Sequence, residues 1–147
     1  MTNTQFFRWN IITNVCMALS INTMATILAG GDTLAGWVMG CCCAFTINTI
    51  AAILLPIPQL GSWFSQKICH SESGKWQEFF SRNFIINAVY VTIVSFCMAL
   101  IHVGWSENTI SVWLSTYIQL HITGLITSLI IEKPVLWFTL KVMGVEE

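Results

Sequence analysis

Charge is what this sequence has least of. Only 9% of its 147 residues are Asp, Glu, Lys or Arg, against roughly 25% in an ordinary soluble domain. A folded surface in water must be covered by polar groups, and six basic and seven acidic side chains cannot cover a body of 16.5 kDa. A water-soluble domain of this size is thereby all but excluded. The recognisable motifs of chemistry are missing too. There is no phosphate loop, nucleophile elbow or HExxH helix, and no constellation of acid, base and nucleophile, so no catalytic residue and no cofactor is assigned. Six basic residues are too few for a nucleic-acid-binding surface.

What is present is apolar sequence in long runs. No Asp, Glu, Lys or Arg occurs in 9–31, 33–66, 83–106 or 108–131, and each stretch exceeds the ~20 apolar residues that span a bilayer core. The fold class expected is therefore all-α: a polytopic membrane protein with spans at 9–29, 35–57, 84–103 and 109–131, helical because lipid cannot satisfy an open backbone. Gly30-Gly31-Asp32 breaks the first pair of spans and Ser106-Glu107-Asn108 the second, so each pair reads as a helical hairpin. The first run is longer than the apolar region of a signal peptide, and Ile27 before Ala29 spoils the small-x-small cleavage pattern. It is accordingly read as a span.

Lys and Arg beside span ends stay on the cytoplasmic side. Arg8, Lys67, Lys75, Arg82, Lys133 and Lys141 all fall on one face if both termini are cytoplasmic, and neither hairpin turn contains a basic residue. The orientation expected is N-in and C-in. Trp37, Trp105 and Trp113 then mark the outer interface, and Trp9, Trp63, Trp76 and Trp137 the inner one.

The second half of the chain can be laid on the first. At an offset of 74, Phe6 falls on Phe80, Arg8 on Arg82, Ile11-Ile12 on Ile85-Ile86, Met24-Ala25 on Met98-Ala99 and Gly30 on Gly104. An offset of 76 pairs Trp37 with Trp113 and Pro58 with Pro134, and the offset of 74 returns for Trp63-Phe64-x-x-Lys67 and Trp137-Phe138-x-x-Lys141. With two spans per unit, both copies enter the membrane in the same direction, as a parallel repeat. The units are 1–68 and 82–147, joined by a cytoplasmic connection at 69–81; the stretch 68–80, with Trp76, Phe79 and Phe80, suggests an amphipathic interfacial helix.

This pattern resembles a family of small bacterial inner-membrane proteins of unknown function built on a helical-hairpin unit, with a Met- and Ser-rich first helix, a Trp near the start of the second and a Pro after its end. The matching residues are Met17, Met24, Trp37 and Pro58 in one copy, and Met98, Trp113 and Pro134 in the other. The resemblance implies a bacterial cytoplasmic membrane and a tandem hairpin fold; it brings no activity.

Small and polar residues at helical spacing mark packing faces. The stripes are Asn14, Ala18, Asn22, Ala25 and Ala29; Gly36, Gly40, Ala44, Asn48 and Ala52; Ala88, Thr92, Ser95, Ala99 and His102; and Tyr117, His121, Gly124 and Ser128. Gly36-x-x-x-Gly40-x-x-x-Ala44 is the tightest packing signal and the candidate face for a homo-oligomer or a membrane protein partner. Asn22, Asn48 and His121 fall ~18–20 Å from their span ends, near the bilayer middle. With Tyr117 and Gln119 they form a candidate substrate-binding set between the hairpins, as a small-solute or ion transporter or channel would need. The bland reading is that the same groups only bond neighbouring helices. A non-transporting component that binds a partner protein or lipid is the alternative function.

Cys41-Cys42-Cys43 invites a thiol-redox or metal reading. Adjacent helical positions diverge by ~100°, so these sulfurs do not converge on one ion. No Cys-x-x-Cys occurs, and neither hairpin turn contains cysteine. Cys69 and His70 supply two ligands, too few for a structural zinc site. No metal site is assigned.

Overall fold

The computed structural model describes residues 3–72 and 74–141. Five α-helices follow one another: α1 (Asn3–Leu28), α2 (Leu34–Leu54), α3 (Ile57–Trp63), α4 (Trp76–Val103) and α5 (Glu107–Lys141). A π-helical turn over Phe64–Ile68 continues α3. No strand occurs among the described residues. α1, α2, α4 and α5 are each long and apolar enough to cross a membrane.

The two turns are closed by local chemistry. α1 ends where Gly30 and Gly31 take positive φ values of 85° and 105°, which side chains with a Cβ rarely adopt. Their amides bond back to the carbonyls of Ile27 and Thr26. Thr33 then caps α2, its hydroxyl accepting from the Gly36 amide at 3.1 Å. In the second turn Thr109 Oγ1 accepts from the Ser106 amide and donates to the Gly104 carbonyl, tying the start of α5 to the end of α4.

Span boundaries differ from the expected ones at the end that carries the basic residues. Pro56 leaves the preceding Leu55 extended, so α2 stops at Leu54, and Ile57 opens α3 instead of closing a span. α5 instead runs through Pro134 to Lys141, and α4 begins at Trp76. Pro134 is absorbed in a long packed helix, whereas Pro56 falls at the break itself and Pro58 in the first turn of α3, where proline is tolerated. The expected interfacial helix over 68–80 is also displaced. Residues 69–72 and 74–75 are non-helical, Trp76–Phe80 belong to the first turns of α4, and the short helix at this end is α3 with its π turn. Ser65 and Ser81 hydrogen-bond at 2.9 Å where that turn docks on α4. The tail beyond residue 141 lies outside the described residues.

The four long helices form a ring. α1 packs beside α2 and α5, and α4 packs beside α5 and α2, so α1 stands across from α4 and α2 across from α5. Met17, Ile21, Val91 and Leu120 meet at the centre, next to a second buried group of Ala18, Ala44 and Val94. This apolar layer divides the interior of the bundle in two.

Candidate functional site

A cavity lies on each side of that layer. The one toward the basic residues has a volume of about 360 Å³, and the one toward the hairpin turns about 510 Å³. Along α1 the lining passes from one cavity to the other between Met17 and Ile21, along α2 between Asn48 and Ala44, and along α4 between Tyr90 and Val94. On these three helices the change-over spans four residues, about one helical turn or ~5–6 Å, whereas on α5 it spans eight, from Leu120 to Ser128.

The basic-end cavity is the one ringed by buried amides. Asn14, Asn48, Asn83 and Asn87 line it, all buried. Arg82 of α4 and Glu132 of α5 form an ion pair at 2.5 Å, and the second carboxylate oxygen accepts from Asn83 Nδ2 at 2.5 Å. A charge pair can sit here because each partner neutralises the other and Asn83 takes up the remaining acceptor. Asn87 Nδ2 crosses to α5 and donates to the His121 carbonyl at 2.9 Å, with His121 Nδ1 at 3.1 Å. Its Oδ1 has no hydrogen-bond partner, nor have Asn48 Oδ1 and Thr13 Oγ1, and all three atoms are buried. Native interiors rarely leave such groups unsatisfied.

The turn-end cavity is walled by small residues. Gly36, Gly40 and Ala44 of α2 face Ala25 and Ala29 of α1 and Ala99 of α4, with Asp32 and His102 toward the turns. The glycine stripe therefore serves packing within the chain. A Cβ on Gly40 would collide with the Asn22 side chain, and Ala44 is buried against Ala18 and Val94.

The five residues expected to form one site are not brought together. Asn22 lines the turn-end cavity and donates to the Trp37 carbonyl at 2.9 Å and to Cys41 Sγ at 3.3 Å. Asn48 lines the other cavity. Tyr117 and His121 stack on one another on α5, where the Tyr117 hydroxyl bonds Thr92 at 3.0 Å and the His121 ring meets Phe84 edge-on. Neither lines either of these two cavities. Gln119 is exposed, and its amide is placed to donate to the Thr116 and Ser115 carbonyls of its own helix. The bundle recruits Thr13, Arg82, Asn83, Asn87 and Glu132 in their place. A signal existed for two of them: Asn83 and Asn87 are four apart, one face further round α4 than the small-residue stripe.

The indoles of Trp37 and Trp113, expected as interface markers, hydrogen-bond across their own hairpins, to Thr23 at 3.1 Å and Ser95 at 2.9 Å. All six cysteines are free thiols. Among the described residues no group of three or more His, Cys, Asp or Glu could hold a metal ion. No family model, curated protein or solved structure matches the chain.

Proposed function

We propose that the chain is a multi-pass protein of a bacterial cytoplasmic membrane, N-in and C-in, that passes a small solute along the axis of its own bundle. The observation that carries this reading is the pair of cavities lying end to end on either side of an apolar layer, one helical turn thick on α1, α2 and α4 and about two on α5. A carrier needs a solute pocket near the middle of the membrane and a barrier that can change sides. The partition is built of Met17, Ile21, Val91 and Leu120, apolar side chains that exclude hydrated solutes in the closed arrangement. A path within the chain is favoured over one between protomers by the packing of Gly40 on Asn22 of α1 and of Ala44 on Ala18 and Val94.

A parallel duplication suits this mechanism. The ring order of the helices is the one that a two-fold axis along the bundle would generate, and each hairpin carries a Trp on its second helix bonded to a hydroxyl on its first. Rocking of one hairpin on the other would open the cavities in turn. The test is osmotic swelling of liposomes with the purified protein inserted, in glycerol and in urea. Swelling faster than in empty liposomes, and faster still with Val91→Ala, is expected. Rates equal to those of empty liposomes for both solutes and both proteins would sink the reading and favour a non-transporting component that binds a partner protein or lipid.

A further inference from the structure

Gln119 puts a polar side chain on the outside of the bundle, at a level where lipid offers it no partner. Within the spans 9–29, 35–57, 84–103 and 109–131 it is the one exposed amide: Asn14, Asn22, Asn48 and Asn87 are buried, and Asn10 bonds Asn14. It lies in the middle of the charge-free stretch 108–131, ~17–18 Å of helix from either end, so headgroups and bulk water are out of reach. Other exposed polar groups close on their own helix. The Thr46 hydroxyl returns to the Cys42 carbonyl and that of Ser115 to the Val112 carbonyl, each at 2.8 Å. The Gln119 amide nitrogen is placed to do the same with the Ser115 and Thr116 carbonyls, at 3.1 and 3.2 Å, but no group among the described residues donates to Oε1. Those carbonyls already serve the backbone bonds of α5, so an N–H can leave them for a new acceptor without stranding them. A bare acceptor in hydrocarbon is costly, and a polar side chain there draws a second helix onto it.

Whatever covers Gln119 must bring a donor to the same level. All copies of one chain enter the membrane in the same direction, so in a two-fold pair about the membrane normal each Gln119 meets its own copy. A primary amide both donates and accepts, and the pair is therefore self-complementary. Ser115, Ile122 and Ile126 share this face of α5, at helical spacings of four, three and seven from Gln119, and all three are exposed.

We propose that a second copy of the chain docks on this face of α5, the two Gln119 amides bonding to each other near the centre of the bilayer. The proposal rests on the membrane placement of the chain and not on the carriage of a solute; each copy keeps its own pair of cavities.

The full chain, labelled at the exposed Cys69 with a donor or an acceptor dye, is mixed in liposomes at rising protein-to-lipid ratios, and energy transfer is read. Transfer is expected to saturate as for a dimer. Gln119→Leu should need about tenfold more protein per lipid to reach half-saturation, and Thr46→Leu, exposed on α2, should leave the curve unchanged. Ser115→Cys in a Cys42→Ala background should cross-link chain to chain under copper-phenanthroline, and this decides the matter should Gln119→Leu fail to fold. Transfer no greater than for unassociated chains, the same curve for wild type and Gln119→Leu, or no cross-link through position 115 overturns the proposal. Chains that alkaline carbonate washes from the liposomes refute the dimer and the membrane placement together. Chains that stay inserted but unassociated refute the dimer alone, and a dimer that moves no solute refutes only the carrier.

Discussion

Asn22 lies directly against Gly40, so closely that its amide occupies the space a Cβ on that glycine would need, and from there it donates to the Trp37 carbonyl at 2.9 Å. The close approach of α1 and α2 and the polar contact between them are one feature. Gly40→Ala should cost about 1–3 kcal/mol, since Asn22 must swing away and strand a buried acceptor or donor. In an Asn22→Ala background the same change should be neutral, or stabilising by up to about 1 kcal/mol, because alanine is then simply the better helix former. Equilibrium unfolding in SDS measures both. The bulkier Gly40→Leu should remove folded monomer; a well-folded monomer with a lost assembly would place this stripe on an outer surface.

Asn87 and Gly124 repeat the relationship on the other hairpin, with the His121 carbonyl as acceptor. Gly124→Ala should destabilise by about 1–3 kcal/mol, and should also disturb the stacking of His121 on Tyr117, which ring-proton chemical shifts of His121 report.

The four apolar helices and their two turns could be read from charge-free runs and from Gly30-Gly31, because bilayer thickness and backbone satisfaction admit few other solutions. The site could not be read to the same extent. Position along each apolar run is what singled out Asn22, Asn48 and His121; rotation about each helix axis could not be read. A stripe shifted by one residue turns ~100° away, which is the difference between Ala88 and Asn87 on α4. The Arg82–Glu132 pair was hidden because both residues lie at the basic ends, where charge is ordinarily a mark of orientation. Pro58 and Pro134, aligned in the sequence, met different outcomes, since α2 has already stopped before Pro56 and Pro58 lies in the first turn of α3, while α5 runs through Pro134.

Arg82 and Glu132 are mostly but not fully withdrawn, with side chains 34% and 16% exposed. Removing one partner should therefore cost less than the full penalty of a buried charge, on the order of 1–3 kcal/mol. Glu132→Ala should be worse than Arg82→Ala, because it takes the acceptor from the guanidinium and from one N–H of Asn83, whose other bond, to the Phe79 carbonyl, remains. Arg82→Met with Glu132→Leu should recover most of the loss. Thermal unfolding in detergent orders the three variants, and additive costs in the double variant would show that the pair is not coupled.

Trp113 donates to Ser95, whose own hydroxyl returns to the Val91 carbonyl beside the partition between the cavities. Trp113→Phe should cost about 0.5–1.5 kcal/mol and, under the carrier reading, raise solute leak, because the turn bearing Val91 loses its tie to α5. Trp37→Phe, whose Thr23 partner is exposed, should cost less and leave leak unchanged. Equal leak from the two variants would separate the tryptophans from the barrier.

Cys69 is exposed in the segment that joins the hairpins, at the same end as Lys67 and Lys75. It therefore reports orientation without any engineered thiol at that end. If the positive charges hold this end in the cytoplasm, a membrane-impermeant maleimide should leave Cys69 unlabelled in intact spheroplasts and label it after permeabilisation. Thr33→Cys, in the first hairpin turn, should behave the opposite way, with Cys69→Ser removing the background. Labelling of Cys69 in intact spheroplasts would invert the protein, and the cavity bearing Arg82 and Glu132 would then face away from the cytoplasm.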